Sequence, residues 1–372
     1  MNDIPYLKRV SRVKHAILRN YLDPWAAILG SAHTRLAYVD CFAGGGVYVD
    51  EQGNQLPGSP AIALHLAKEY VNRRPDRSLV LIFVERDHDT AQALRDTLQE
   101  EGGTSEAVTY FVEQEDAADV IERLISHIES KGPRARIIPT FFFVDPYGHP
   151  VTVPIMKRLL ALGQTEVLVN LMWYRINMDL SNPKVQPNVD KLFGHNMWRT
   201  QQFVNLHGID REQAFVTYFV SQVGAKFNLK FAVRFSPEDK VPGGERRTKF
   251  YLLHFSGHSK AALLMKEVMW RLSDDVTELQ FSGRGGNQQL RLIESVPDLE
   301  QLRCNLIARF DRQSATFDTI RLETLDWPFV EKHYRKVLKE LEQNGVVTIR
   351  RMDSKERGLR GRDVICFPGA PR

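Results

Sequence analysis

The residues best suited to chemistry are Asp145-Pro146-Tyr147-Gly148, which follow the apolar run Phe141-Phe142-Phe143-Val144. A buried strand of that composition delivers a carboxylate, a proline and an aromatic ring at its carboxyl end, where open α/β sheets place their ligands. This set matches one demanding substrate, an amine attached to a nucleic-acid base. Such an amine is a poor nucleophile because its lone pair is delocalised into the ring. If Asp145 and the Pro146 carbonyl accept its two N–H protons, the nitrogen becomes more tetrahedral and its lone pair can be aimed. The Tyr147 ring can stack on the base, and Gly148 lets the chain turn away. In isolation the same tetrapeptide is also a good β-turn.

Two upstream features bear on that choice. Asp40-Cys41-Phe42-Ala43-Gly44-Gly45-Gly46 puts an acid and then small residues after an apolar run, which allows close approach of a ligand to the backbone. The segment lacks the Lys-Ser/Thr pair of a phosphate loop and the full Gly-x-Gly-x-x-Gly spacing. Its acid suits a ligand bearing an ammonium group, as the methionine part of S-adenosylmethionine does. A tight strand-to-helix turn is the alternative. About 40 residues on, Glu85 ends a second strand where a carboxylate can hold a ribose diol. After the third, Asp116 stands either near an adenine amino group or as the N-cap of the next helix. The cofactor set is therefore Asp40, Phe42, Ala43, Gly44, Gly45, Gly46, Glu85 and Asp116, and the catalytic set Asp145, Pro146, Tyr147 and Gly148.

Elements that could position these residues alternate regularly. Strands are predicted at 36–42, 79–84, 108–112, 140–144 and 167–172, and helices at 60–69, 89–100, 117–129 and 154–162. An amphipathic helix precedes them over 8–29, interrupted near Asp23-Pro24. Helix 211–223, an antiparallel pair at 231–235 and 250–255, and helix 259–272 follow. The expected fold is α/β: a Rossmann-like sheet, mostly parallel with an antiparallel closing strand, and a C-terminal winged-helix domain. The expected domains are 1–272, with a substrate-side insertion over 175–200; a connecting hairpin (277–281 and 289–293 about Gly283-Arg284-Gly285-Gly286) and helix over 273–315; and a winged helix over 316–372.

With the motifs placed, the chain resembles the three-Cys-motif partner proteins. The resemblance rests on Tyr38 to Gly46, Gly58-Ser59-Pro60, Phe83-Val84-Glu85, Phe143 to Gly148, Phe193-Gly194 with Trp198, and the segment from Tyr251 to Trp270. It covers roughly residues 8 to 272 and implies a class I methyltransferase-like fold, S-adenosylmethionine as cofactor and a three-Cys-motif protein as partner. Asp145-Pro146-Tyr147-Gly148 also looks like the Asp-Pro-Phe-Gly of tRNA guanine-N2 methyltransferases and, more distantly, the Asp-Pro-Pro-Tyr of adenine-N6 methyltransferases. Both modify exocyclic amines, and the single proline with its terminal glycine leaves the base open.

Charge and cysteine usage complete the reading. Lys plus Arg exceed Asp plus Glu by 50 to 46, which permits a polyanionic partner without requiring one. Arg350, Arg351, Lys355, Arg357, Arg360 and Arg362 gather in one loop, either a phosphate-gripping wing or a solvated hairpin. Arg12, Lys14 and Arg19, with Arg246, Arg247 and Lys249, could extend a positive track. Cys41, Cys304 and Cys366 suggest neither a disulfide framework nor a zinc site, the histidines fit no metal spacing, and the expected location is cytoplasmic. Two other classes stay in play: a nucleic-acid-binding accessory subunit of the partner, and a metal-dependent nuclease or repair factor.

Overall fold

The computed structural model describes residues 4–132, 135–146, 151–236, 239, 241, 247–274, 279–281, 297–352 and 358–368. The chain divides into two compact units, Met1–Ala262 with Phe281–Arg284, and Leu263–Gln280 with Gly285–Arg372.

The first unit begins with α1 (Arg12–Leu29), then β1 (Arg35–Asp40), a small hairpin of β2 (Val47–Val49) and β3 (Gln55–Pro57), and α2 (Ser59–Arg73). Next come β4 (Ser78–Val84), α3 (His88–Glu100), β5 (Val108–Glu113), α4 (Ala117–Ser130), β6 (Thr140–Val144), α5 (Val153–Ala161) and β7 (Thr165–Leu171). The helices α6 (Trp173–Ser181), α7 (Gln186–Phe193) and α8 (Gly208–Val223) precede β8 (Phe227–Arg234) and β9 (Thr248–Ser256); α9 (Ser259–Leu272), most of it in the second unit, and the two-residue strand β10 (Gln280–Phe281) follow. These build an eight-stranded sheet in the order β10-β8-β9-β7-β6-β1-β4-β5. Strands β5, β4, β1, β6 and β7 run parallel, whereas β9 is antiparallel to both β7 and β8. This is the Rossmann-like class I methyltransferase arrangement with its antiparallel closing strand.

Packing explains the sheet's position. Every residue of β6 and β7 is buried, as continuous apolar strands between two helical layers require. Side chains alternate between the faces: the Phe141 ring meets Tyr21 and Trp25 of α1, while Phe142 belongs to the core formed with α4, α5 and α8. The sequence expectation of a break near Pro24 is corrected, since α1 runs unbroken through it. An interior proline costs a helix about 3 kcal/mol. Buried Tyr21, Leu22, Trp25 and Ala26 on either side offset that cost, and Tyr21 and Trp25 further anchor the helix by donating hydrogen bonds to the buried Glu166 carboxylate.

The second unit contains α10 (Leu299–Phe310), β11 (Ser314–Thr316), α11 (Phe317–Glu323), α12 (Glu331–Gln343), β12 (Thr348–Arg350) and β13 (Val364–Cys366), with a sheet ordered β11-β13-β12. Phe310, Phe317, Ile320, Tyr334, Leu338 and Ile365 form its core. This succession is a winged helix; its first strand, β11, is absent from the sequence reading. The expected strand 289–293 and the Gly283 to Gly286 turn lie outside the described residues.

Candidate functional site

Between β1 and β6 the strand order reverses: the chain leaves β1 towards β4 on one side and later returns to β6 on the other. A crevice at the carboxyl ends of the strands is expected at such a switch point. Asp40 pairs with Phe143 in register, so Asp40 and Asp145 end neighbouring strands at this reversal.

Asp145 is held from two sides. Lys14 of α1 places its ammonium 2.6 Å from Asp145 Oδ2, with the two side chains 13% and 16% exposed. Asn170, near the end of β7, donates from Nδ2 to Asp145 Oδ1 at 2.7 Å. A carboxylate only accepts, so this bond fixes the amide's orientation and leaves the buried Asn170 Oδ1 without a partner among the described residues. Tyr147 and Gly148 lie outside the described residues, so the ring and turn assigned to them are not part of this geometry. Pro146 is described and directly follows Asp145.

The glycine loop is tied to both acids. Asp40 is fully buried beneath it, accepting from the Phe42 amide at 3.3 Å and the Tyr38 hydroxyl at 3.2 Å, with a further hydrogen bond from the Ser59 side chain. Burial pushes its carboxyl up to about 7, and the nearby Asp145 charge pushes the same way, against the pull of those hydrogen bonds. Its charge therefore lies under the loop and not at its surface. Ala43 donates to the Val84 carbonyl, and Gly44 donates to Glu85 Oε2 at 3.0 Å. Glu85 Oε1 accepts from the Asp87 amide. Each oxygen keeps a lone pair for a diol, as the sequence reading requires of this acid.

Gly44 and Gly46 take positive φ, and the latter packs against Leu94 and Thr97 of α3. Gly45 lies over the same helix, with Thr97 donating to its carbonyl. Asp116 caps α4 by accepting from the Ala118 amide, which is the N-cap alternative.

Three participants escape the sequence reading. Lys14, grouped there with Arg12 and Arg19 as surface charge, turns inward; only its place on a helix beside the buried positions Val13 and His15 hints at this. Asn170 carries a weak signal, a polar residue closing an otherwise apolar strand. Tyr48 belongs to the β2–β3 hairpin, itself unforeseen, and burial together with the Asp145, Asp40 and Glu85 charges pushes its hydroxyl up to about 12. Arg12 pairs with Glu51, and Lys249 with Asp239.

In the winged helix the expected basic loop is only partly available. Arg350 is exposed, Arg351 makes two hydrogen bonds to the Glu342 carboxylate, Arg360 and Arg362 have interactions of their own, and Lys355 and Arg357 lie outside the described residues. Helix α12 adds what the sequence reading omitted: Lys332, Lys336 and Lys339 are exposed along one face at helical spacing. Lys332 rests over the Trp270 ring. Among the described residues no group of three His, Cys, Asp or Glu side chains could hold a metal ion, and no helix is long and apolar enough to cross a membrane.

No curated protein matches the chain. Among solved structures, a Legionella pneumophila protein of the DUF519 family model is similar over 68% of this chain and 91% of its own, at 11% identity and a TM-score of 0.37. So low a score carries no argument about fold or function. Residues 271–354 match the family model described as the GMT-like wHTH domain, which agrees with the winged helix seen in the second unit.

Proposed function

We propose that the first unit is an S-adenosylmethionine-dependent methyltransferase acting on the exocyclic amine of a nucleic-acid base, with the winged helix gripping the nucleic acid. The observation that carries this reading is the placing of Asp145 at the switch point of the sheet beside Asp40, which with Glu85 holds the glycine loop. The residues fit the cofactor in three respects: Gly44 takes a positive φ in the turn of the loop, Glu85 retains acceptor capacity, and Asp40 puts a carboxyl beneath the loop. When bound, S-adenosylmethionine supplies a methyl group on a sulfonium: the amine nitrogen bonds to that carbon as the carbon–sulfur bond breaks with its pair left on sulfur, and the surplus amine proton passes to solvent.

The chain's own contribution is positioning. Asp145, kept in place by Lys14 and Asn170, accepts one amine N–H, and the Pro146 carbonyl takes the other. Tyr147 is assigned to stack on the base and Gly148 to turn the chain away. As in the family it resembles, the protein works with a three-Cys-motif protein.

The test is incubation with labelled cofactor and pooled bacterial DNA and RNA, with and without the three-Cys-motif partner. Transfer that falls at least about 100-fold in Asp145→Ala is expected. No transfer by the wild-type chain in either condition refutes the reading. Binding of nucleic acid without transfer favours the accessory subunit, and metal-dependent cleavage favours the nuclease.

A further inference from the structure

We infer that Lys14 selects the base: its ammonium donates to a ring nitrogen adjoining the methylated amine, so the substrate is adenine or cytosine and not guanine. The inference rests on the methyltransferase reading above. Its observation is the pairing of opposite hydrogen-bonding characters at one spot, an acceptor at Asp145 Oδ2 and a donor at Lys14 Nζ, 2.6 Å apart.

Neither group is exhausted by the other. An ionised carboxylate offers about four lone-pair sites, of which Asn170 uses one while Lys14 stands beside Oδ2 as an ion pair. An ammonium carries three donors, and that of Lys14 stands beside Asp145 as an ion pair. Beyond that ion pair, Lys14 makes no hydrogen bond among the described residues and faces the Phe250 ring at 5.6 Å. An acceptor beside a donor is the pattern by which a side-chain amide reads adenine.

Enzymes that act on an extruded base read its Watson–Crick edge. There adenine presents N6–H beside the acceptor N1, and cytosine N4–H beside the acceptor N3; both complement Asp145 and Lys14. Guanine presents N2–H beside N1–H, two donors in a row. Its N1–H would face the Lys14 ammonium, donor against donor in a desolvated site, which rejects the wrong partner by repulsion. The other neighbour of guanine N2, the ring nitrogen N3, adjoins the sugar attachment and is the less accessible.

The assay uses the full chain, alone and with the three-Cys-motif partner, on oligonucleotides, with digestion to nucleosides and mass analysis. N6-methyladenine or N4-methylcytosine is expected. N2-methylguanine overturns this inference while leaving the methyltransferase reading intact; no methylated base overturns both. A second arm separates base reading from mere support of the site. Replacing the preferred base by 1-deazaadenine or 3-deazacytosine removes the ring acceptor, and should lower kcat/KM of the wild-type chain by about 10- to 100-fold, as loss of a charge-assisted hydrogen bond does. In Lys14→Met the same replacement should have no further effect, and an equal loss in both proteins overturns the inference. Lys14→Gln replaces Lys14→Met where the latter fails to fold.

Discussion

Replacing Asp40 by asparagine tests whether an unfavourable charge is maintained under the glycine loop. Asp40 is fully buried, and its carboxyl titrates near 7 instead of its usual 3.8, chiefly through burial. Between those values the folded chain holds a proton that the unfolded chain has released, so stability falls as pH rises through this window and levels off above about 7. From pH 5 to pH 7, where the group is half-titrated, the loss is about 2 kcal/mol, at roughly 1.4 kcal/mol for each full tenfold step. The amide introduced by Asp40→Asn carries no such cost. It can still accept from the Phe42 amide, while the Tyr38 hydroxyl must turn to receive its NH2 group, a rearrangement worth about 1 kcal/mol. Urea unfolding of both proteins at pH 5 and pH 8 isolates the term, because every other titrating group is shared. Asp40→Asn should gain about 3 kcal/mol on the wild type between the two conditions, while its affinity for S-adenosylmethionine falls. Parallel pH profiles would refute the reasoning.

Two further perturbations address the second unit. Lys266 is buried, donates to the Thr324 carbonyl, and is pushed down by burial to about 7; its folded form releases a proton that the unfolded chain keeps. Stability from this group therefore rises with pH between about 7 and 10.5, and Lys266→Met should raise the melting temperature of this unit at pH 7 by more than at pH 10, as read by calorimetry. On α12, Lys336→Glu with Lys339→Glu should weaken nucleic-acid binding and lower the salt dependence of log K by about one unit per lysine removed. Arg351→Ala should do less in the same filter-binding series, because Glu342 already holds that guanidinium.

The parallel part of the sheet was readable because its signals are local. Phe141 to Val144 and Val167 to Val169 are apolar on both faces, which only a covered central strand demands, and the acids that end the strands could be ordered along the chain. The winged helix was readable from the order of its parts, two helices and then two strands about a basic loop. What escaped depends on contacts distant in sequence. Lys14 looks like a solvent-facing cation until α1 docks across the sheet and brings it to Asp145, 131 residues later. Strands β2, β3 and β11 are three residues each, too short for alternation to register. Pro24 misled the reading because propensity is local whereas the burial around it is tertiary.

The docking of α1 gives the N-terminal helix a second duty. Its Tyr21 and Trp25 are pinned to Glu166 on β7, two and three turns from Lys14 on the same helix, so the surroundings of Asp145 inherit their tolerances from a buried carboxylate at the opposite end of that strand from Asn170. The smallest module that could test the proposed activity is thus larger than the alternating strands and helices that catch the eye: a fragment begun at β1 would retain the loop, Glu85 and Asp145, yet lack the cation that pairs with Asp145.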